Sequence, residues 1–297
     1  MKITLKQLRV FDAIARNGSV KKASLDISLT QSAASMSLKE LERQLTAQLF
    51  DRQGKRLKLN DYGRWMQPKA HSILQQIYEI EHSGISDKLQ GHIQIGASST
   101  IANYLLPGII ANFVTINPQV YIDLKVGNTE QVIDDLLHLR IDLGLIEGLC
   151  NEHNINPIPW QRDRLVVFCS PQHSLANLKK ISPSHLSSQQ WILRERGSGT
   201  REIFTMASHG ILDKMPRTIE LGNSEAIKQA VKSGHGLGCL SELALKSEFK
   251  HDELKALPTP YLNLERKLYI LNRSDLYRSQ LLQSFIMEIQ NSSDQQA

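Results

Sequence analysis

Three short segments of the sequence place small polar residues between an apolar run and a run of helical pattern. They read IQIGASSTIANYLL, WILRERGSGTREIF and IELGNSEAIKQAV. Each brings free backbone N–H groups and side-chain hydroxyls to the predicted start of a helix, where the helix dipole favours an anion. The predicted ligands of such an anion are Ser98, Ser99, Thr100, Ser198, Gly199, Thr200, Arg201, Asn223 and Ser224. If the first two segments face each other across a cleft, they form a cage for one small oxyanion.

Two charged residues bear on this prediction. A guanidinium binds an oxyanion through two parallel hydrogen bonds, so Arg201 strengthens it. Glu147 ends the apolar run DLGLIE, and a carboxylate beside an anion repels it unless one of them carries a proton. We hypothesise that Glu147 selects a protonated oxyanion, or pairs with Arg201 when the site is empty. The alternatives are a surface acid at a strand end and, for the polar residues, ordinary helix N-caps.

Motifs of other anion-binding and catalytic sites are absent from the sequence. There is no GxxxxGK[ST], no GxGxxG, no GxSxG and no HExxH, so we predict neither an enzyme nor a metal site, and no cofactor. The cysteines Cys150, Cys169 and Cys239 form no CxxC and are predicted to fill core space in a reducing compartment. The sequence has no apolar run of membrane-spanning length and no secretory signal, which predicts a cytoplasmic protein without a membrane partner.

Strand and helix patterns alternate from Gly91 onward and must position the predicted ligands. This alternation predicts a parallel sheet with helices on its faces, divided into two lobes. We assign residues 91–161 and 267–297 to lobe I and residues 162–266 to lobe II. The chain therefore crosses between the lobes twice, and a ligand is expected between them, beside the C-terminal ends of the strands.

The basic charge is concentrated at the N-terminus. Residues 1–60 carry 12 Lys and Arg against 5 Asp and Glu, whereas residues 61–297 carry 23 against 25. Three predicted helices and a basic hairpin in residues 1–60 form a winged helix-turn-helix. The predicted DNA contacts are Thr30, Gln31, Ser32, Ser35 and Ser37 in the third helix and Arg52, Lys55 and Arg56 in the wing. A Ser-rich helix start is also typical of an exposed N-cap, but the basic wing favours DNA.

A predicted linker helix covers residues 61–90. Its apolar positions alternate in steps of four and three, as in a coiled coil: Met66, Ala70, Ile73, Ile77, Ile80 and Gly84. We predict that this helix pairs with a second copy and makes a homodimer or homotetramer. The alternative is that the helix packs on its own domain. Pro68 is tolerated within the first turn of a helix, which predicts a start near Arg64.

The stretches LKQLRVFDAIARNGSVKKAS and LTQSAASMSLKELERQLTAQLFDR resemble the N-terminal domain of LysR-type transcriptional regulators. Two positions depart from the usual pattern of this family, Ser32 in place of proline and Asn60 in place of threonine. The resemblance implies an N-terminal all-α winged helix-turn-helix domain and a long linker helix. The two-lobed remainder resembles the α/β effector domain of periplasmic-binding-protein type in these regulators.

The resemblance also implies a function. Regulators of this type bind specific double-stranded DNA, are switched by a small effector, and have RNA polymerase as a further candidate partner. Related branches of the family are associated with sulfur metabolism, so the resemblance and the size of the predicted cage favour sulfite or sulfate as the effector. A small organic carboxylate remains an alternative effector. A non-catalytic solute-binding protein is a further alternative, opposed by the basic module and the missing secretory signal.

Overall fold

The computed structural model describes residues 2–53, 56–83, 89–212 and 217–294. Its N-terminal domain consists of α1 (Leu5–Asn17), α2 (Val20–Asp26), α3 (Gln31–Leu45), β1 (Phe50–Gln53) and β2 (Arg56–Leu59). Thr4, Ser19 and Thr30 accept hydrogen bonds from the first turns of α1, α2 and α3, as N-caps do. The pattern QSAASMSLKELERQLTAQLF predicts a third helix that continues to Phe50, but α3 ends at Leu45 because Thr46 adopts a left-handed conformation with φ 54°.

The linker helix α4 (Asp61–Ser83) begins three residues earlier than the start near Arg64 that Pro68 suggested. Asn60 is the reason, because its side-chain oxygen accepts the N–H of Gly63 at 2.8 Å and caps the helix. Pro68 therefore lies inside α4, two turns from its start.

The predicted pairing seam of α4 is wrong at two positions. Met66 and Ala70 are buried in the core of the N-terminal domain, against Phe11 and Leu41 among others. The alternative of packing on its own domain thus holds for this part of the helix. Gly84, the last seam position, lies outside the described residues. Further along the helix, Ile73 and Ile80 are 43% and 72% exposed.

The effector domain begins with a strand–helix unit that repeats. The elements of this first part are β3 (Gln90–Ser98), α5 (Ser99–Tyr104), α6 (Leu106–Ile116), β4 (Gln119–Gly127), α7 (Thr129–Leu137) and β5 (Leu143–Glu147). The pattern TIANYLLPGIIANFVTIN predicts a single helix over residues 100–117, whereas the structure divides it into α5 and α6 at Leu105. Pro107 explains the division, because proline is accommodated in the first turn of a helix and not in its interior.

The chain then crosses into the second lobe and returns. The second part contains β6 (Ile155–Cys169), α8 (Pro183–Ser187), β7 (Gln190–Arg194), α9 (Gly199–Ser208), β8 (Arg217–Leu221), α10 (Ser224–Lys232), β9 (Leu237–Ser241), α11 (Lys246–Lys250) and β10 (Lys255–Ala256). The returning part is β11 (Glu265–Arg273) and α12 (Gln280–Asp294). No helix within the described ranges has the length and apolar character to cross a membrane.

Within the described residues, the effector strands form one sheet of nine strands, in the order β4-β3-β5-β11-β6-β9-β7-β8, with β10 paired to β6. The strands of each lobe are parallel, as predicted, but the two crossing strands β6 and β11 run antiparallel to their neighbours. The first half of β6 pairs with β11 and the second half with β9, so β6 joins the two lobes. In this pairing Asp163 lies opposite Arg266.

Each lobe has an apolar core on both faces of the sheet. In lobe I, Ile95 and Phe285 are fully buried, and in lobe II Trp191 packs against Phe204 with ring centroids 4.7 Å apart. Cys169 and Cys239 are buried in the lobe II core, where they fill space.

Candidate anion site between the lobes

The side chain of Glu147 lies at the centre of the contact between the lobes. Its Oε1 accepts the backbone N–H of Thr100 at 2.8 Å, and its Oε2 accepts the hydroxyl of Thr200 at 3.1 Å. The Nη1 of Arg266 donates to the same Oε2 at 2.9 Å. Donors from lobe I, from lobe II and from the crossing strand β11 therefore converge on one carboxylate, and the residue is only 1% exposed.

The guanidinium of Arg266 connects this carboxylate to a second one. Its Nε donates to Asp163 at 2.7 Å, and its Nη2 lies 2.6 Å from the same Asp163 oxygen. It also donates to the hydroxyls of Thr200 at 2.9 Å and Thr100 at 3.3 Å. Arg266 thus holds two buried carboxylates, and this group of three side chains carries one net negative charge. We call Glu147, Arg266, Asp163, Thr100 and Thr200 the inner cage.

The charges of the inner cage stabilise one another. Burial alone would raise the pKa of Glu147, but the charge of Arg266 and the hydrogen bonds from Thr100 outweigh it and hold the pKa below its ordinary value. Burial alone would lower the pKa of Arg266, but Glu147 and Asp163 outweigh it and raise the pKa. Glu147 is therefore an ionised carboxylate at neutral pH, and it is positioned as a bound anion would be.

Two glycines of the RERGSGTRE segment allow the lobes to approach closely. The N–H of Gly199 donates to the Thr129 hydroxyl at 3.2 Å, and that hydroxyl donates to the carbonyl of Glu147 at 2.9 Å. A Cβ on Gly199 would lie 1.8 Å from the same carbonyl oxygen, so no larger residue fits there. Gly197 has φ +81°, and its carbonyl accepts the N–H of Glu130 at 3.1 Å. The backbone of lobe II is thus in direct contact with lobe I.

A second buried arginine lies in the lobe II wall of the cleft. Arg194 is 2% exposed, and its Nε and Nη2 donate to Glu195 at 2.7 and 2.8 Å. Its Nη1 donates to the hydroxyl of Ser224 at 3.4 Å, and Glu195 also accepts the side-chain amide of Asn128 from lobe I at 3.2 Å. Asn223 accepts from two N–H groups of the first turn of α10, as an ordinary N-cap does.

Ser198 and Arg201 line a separate, open groove of about 630 Å³ outside the inner cage. Arg196, Leu149 and Met206 also line this outer groove, which both lobes form. Arg201 donates to the backbone carbonyl of Arg194 at 3.4 Å and is not paired with Glu147, whose partner is Arg266. The hypothesis of a Glu147–Arg201 pair is therefore wrong.

Ser98 and Ser99 precede Thr100 at the end of β3. The hydroxyl of Ser98 is buried and has no hydrogen-bond partner among the described residues, whereas Ser99 is half-buried as the first residue of α5. The predicted ligands thus divide between the inner cage with its neighbours, the outer groove and the α10 start. Their role in binding an effector stays a prediction.

Sequence reasoning missed Arg266, Asp163 and Arg194. The sequence does carry a signal for Arg266 and Asp163. Residues two apart in a strand lie on the same face of the sheet, so a charged residue that alternates in step with buried apolar residues is itself buried. Arg266 lies on the buried face of β11 with Leu268, and Asp163 on the buried face of β6 with Leu165. A charged residue on a buried strand face requires a partner, and the pairing of the two strands supplies it.

The predicted DNA-reading residues lie at the surface of the N-terminal domain. Thr30, Gln31 and Ser32 are exposed at the start of α3, and Ser35 and Ser37 are half-buried on the same helix. Thr30 also caps the helix by accepting the N–H of Ala33 at 3.2 Å. Arg52 is exposed on β1, Arg56 begins β2, and Lys55 lies outside the described residues. Their contacts with DNA remain predictions.

Comparison with known proteins identifies the class. The family model for the bacterial regulatory helix-turn-helix protein of the lysR family matches residues 5–64, and the model for the LysR substrate binding domain matches residues 86–293. The chain belongs to the LysR family of transcriptional regulators, which are DNA-binding proteins with an effector-binding domain. The predicted resemblance, the fold class and the prediction that the protein is not an enzyme are confirmed.

Similar proteins extend over nearly the whole chain. The HTH-type transcriptional regulator YeiE of Escherichia coli (strain K12) is 43% identical, over 96% of this chain and 97% of its own. A full-length OxyR variant of Pseudomonas aeruginosa has the same fold, with a TM-score of 0.76 at 22% identity over 98% of this chain and 95% of its own. The regulatory domain of CcmR from Synechocystis, in complex with 2-PG, has a TM-score of 0.64 and is 30% identical, over 68% of this chain and 97% of its own.

Proposed function

We propose that this LysR-type regulator is switched by a small anionic effector that binds between the two lobes, with sulfite or another small oxyanion as the first candidate. The observation that carries the proposal is the convergence of the Thr100 N–H, the Thr200 hydroxyl and the Arg266 guanidinium on one carboxylate. These donors come from both lobes and from the crossing strand β11, and each lies within hydrogen-bond distance of the carboxylate. A site of this kind can hold one small anion and join the lobes through it.

The carboxylate of Glu147 gives the site a charge requirement. The two negative charges of Glu147 and Asp163 already exceed the single positive charge of Arg266. A fully ionised anion that enters the inner cage is therefore repelled. We infer one of two events. Either the effector carries a proton and donates a hydrogen bond through it to Glu147, or the effector displaces Glu147 from Arg266. Either event replaces contacts of Glu147 that hold the lobes together. A change in lobe contact would then shift the equilibrium between two quaternary arrangements on DNA.

A small organic carboxylate is the second candidate, and the outer groove favours it. Arg196 and Arg201 can bind a carboxylate there, beside Glu130, Glu152 and Glu202, which also line the groove. The exposed side chains of Leu149 and Met206 supply an apolar wall. The complex of the CcmR regulatory domain with 2-PG shows a small ligand on a related domain. The two candidates use different residues, so variants can separate them.

Self-pairing through α4 is part of the proposal, by a stripe that shares Ile73 and Ile80 with the predicted seam but replaces Met66 and Ala70. Met66 and Ala70 face the N-terminal domain, but Tyr62, Trp65, Ile73 and Ile80 lie within about 80° of one another around the helix at 100° per residue. These four residues are 36%, 55%, 43% and 72% exposed. An exposed apolar stripe of this length is suited to pairing with a second copy, and a dimer would place two winged domains on two half-sites of DNA.

The test uses the full chain and measures thermal stability and DNA binding with sulfite, sulfate, phosphate or a small carboxylate. A bound effector in excess raises the melting temperature, and it changes the affinity or salt dependence of DNA binding. If none of these anions changes either quantity, the anionic effector is excluded.

Two variants assign the site. If the effector binds in the inner cage, Thr200→Val abolishes the response and Arg201→Ala keeps it, whereas a carboxylate in the outer groove reverses this pattern. Thr115→Val is the matched control, because Thr115 is exposed on α6, outside both candidate sites, and donates to the carbonyl of Ala111. Effector-free DNA affinity should remain unchanged in Arg201→Ala and in the control variant.

A further inference from the structure

The linker helix α4 is attached to its two neighbours in different ways. On the face toward the N-terminal domain, Met66 and Ala70 are buried in its apolar core, and the His71 ring lies 3.4 Å from the Asp12 carboxylate of α1. On the face toward lobe I, hydrogen bonds contribute to the contact. A cavity of about 30 Å³ lined by His71 and Gln75 on α4, and by residues of lobe I, has room for water at this contact.

Hydrogen bonds join α4 to the short segment that follows β11. Ser72 accepts the backbone N–H of Tyr277 at 3.1 Å. Glu79 accepts the hydroxyl of Tyr277 through one carboxylate oxygen and the backbone N–H of Gln280 through the other, the latter at 3.0 Å. Gln280 is the first residue of α12, so Glu79 also places a negative charge at the start of this helix, where its dipole is favourable.

The segment that carries these bonds is connected to the inner cage by a single strand. Strand β11 holds Arg266 near its start, at the cage, and ends at Arg273. Arg273 fixes the following turn, because its Nε and Nη2 donate to Asp275 at 2.9 and 2.7 Å and its Nη1 donates to the carbonyl of Leu137 at 2.6 Å. A displacement of Arg266 therefore acts on the residues that hold α4.

We propose that Tyr277 and Gln280 form a latch with Glu79 that transmits the state of the cleft to the linker helix. With Glu147 on Arg266 the latch is closed and fixes the angle between α4 and lobe I. When an anion displaces Glu147, β11 shifts, the latch opens, and the N-terminal domain changes its position relative to lobe I. The apolar attachment of α4 to the N-terminal domain makes these two move as one body. The part played by the anion rests on the proposed function, but the latch itself does not.

The experiment compares the full-length wild type with Glu79→Gln, Tyr277→Phe and the double variant. Tyr277 is 40% exposed, so the loss of its hydroxyl leaves the core intact. The matched controls are Glu81→Gln, which removes the same charge from an exposed position of α4, and Tyr121→Phe, a tyrosine that is 72% exposed on β4. Hydrogen exchange of residues 277–282 reports the latch. Two palindromic duplexes are selected with the wild type, and their half-site spacings differ by half a helical turn. The ratio of the affinities for these two duplexes reports the quaternary arrangement.

We expect each latch variant to speed exchange at 277–282 and to shift the sulfite-free affinity ratio by roughly three- to tenfold, toward the ratio of the wild type with sulfite. The double variant should shift it no further than the larger single variant, because both remove one shared contact. If the latch variants behave as their controls do, the latch proposal is wrong even where sulfite changes the wild type. If sulfite leaves the wild type unchanged while the latch variants still shift the ratio, the latch stands and the oxyanion proposal fails.

Discussion

The inner cage and the predicted DNA-facing surface of the N-terminal domain both consist of charged and polar side chains, but the two regions use them in opposite ways. In the cage, Glu147 and Arg266 are 119 residues apart in the chain, fully buried and bonded to each other. On the DNA-facing surface, Gln31, Ser32 and Arg52 are exposed and come from neighbouring elements. A buried charge is costly without a partner and an exposed charge is not, so the cage is completed internally and the DNA surface is left open to a partner.

This difference predicts where substitution affects stability and where it affects binding. Variants in the cage should change the folding or the contact of the lobes. Variants on the DNA surface should leave folding unchanged and alter only affinity and its salt dependence.

The largest effect is expected for Arg266→Met. This change leaves the carboxylates of Glu147 and Asp163 buried beside each other without a cation, and should lower the free energy of unfolding by about 3–5 kcal/mol. Urea denaturation of the full chain measures it. Adding Glu147→Gln and Asp163→Asn should recover part of the loss. Arg164→Met is the control, because its pair with Glu242 is exposed and should cost under about 1 kcal/mol. Equal losses in both variants would contradict the comparison.

A smaller loss is expected for Gly199→Ala. The added Cβ would lie 1.8 Å from the carbonyl of Glu147 and 2.9 Å from the Thr129 hydroxyl, so the lobes must separate. We expect a loss of about 1–3 kcal/mol, together with a reduced response to the effector. Gly108→Ala serves as the control because a Cβ at that position would have no other atom within 4 Å, and a helical alanine there should keep or raise stability.

Arg52→Ala tests the DNA-facing surface. The loss of the Arg52 guanidinium should leave the urea midpoint unchanged and weaken DNA binding. It should also reduce the slope of log affinity against log salt concentration by about one, as the loss of one phosphate contact does. Arg43→Ala is the control, since Arg43 is exposed near the end of α3 and already paired with Glu40. A slope that falls equally in both variants would argue against a contact between Arg52 and phosphate.

The smallest change concerns acid pH. The folded-state pKa of Glu147 is lowered from its ordinary value of 4.5, so its ionised form stabilises the folded state above that pH. This contribution should be lost as pH falls from the ordinary value through the lowered one. Stability measured between pH 6 and roughly pH 3 should therefore decline less steeply in Glu147→Gln than in the wild type. A parallel decline would show that the cage does not lower the pKa of Glu147.

Local signals in the sequence were sufficient for the helix starts of the N-terminal domain, although not for the end of α3 at Leu45. Caps at Thr4, Ser19 and Thr30 and the left-handed Gly18 define its helices, and all act within a few residues of themselves. The short range of these signals also explains why the prediction for α4 was only partly right. Its apolar steps predicted a helix, but they do not say which face meets the N-terminal domain, and Met66 and Ala70 are buried there.

For the candidate site, the sequence by itself determined that Thr100, Thr200 and Glu147 lie where strands end or helices begin, beside the carboxyl ends of strands in the two lobes. Only the tertiary structure decided that Glu147 takes the central position and that its cation is Arg266 rather than Arg201. The physical reason is that Arg201 lies one residue from Thr200 but on the outer groove, whereas the antiparallel pairing of β6 and β11 directs Arg266 and Asp163 into the cleft. Sequence distance carries no information about such a pairing, because it depends on how two strands far apart in the chain are aligned.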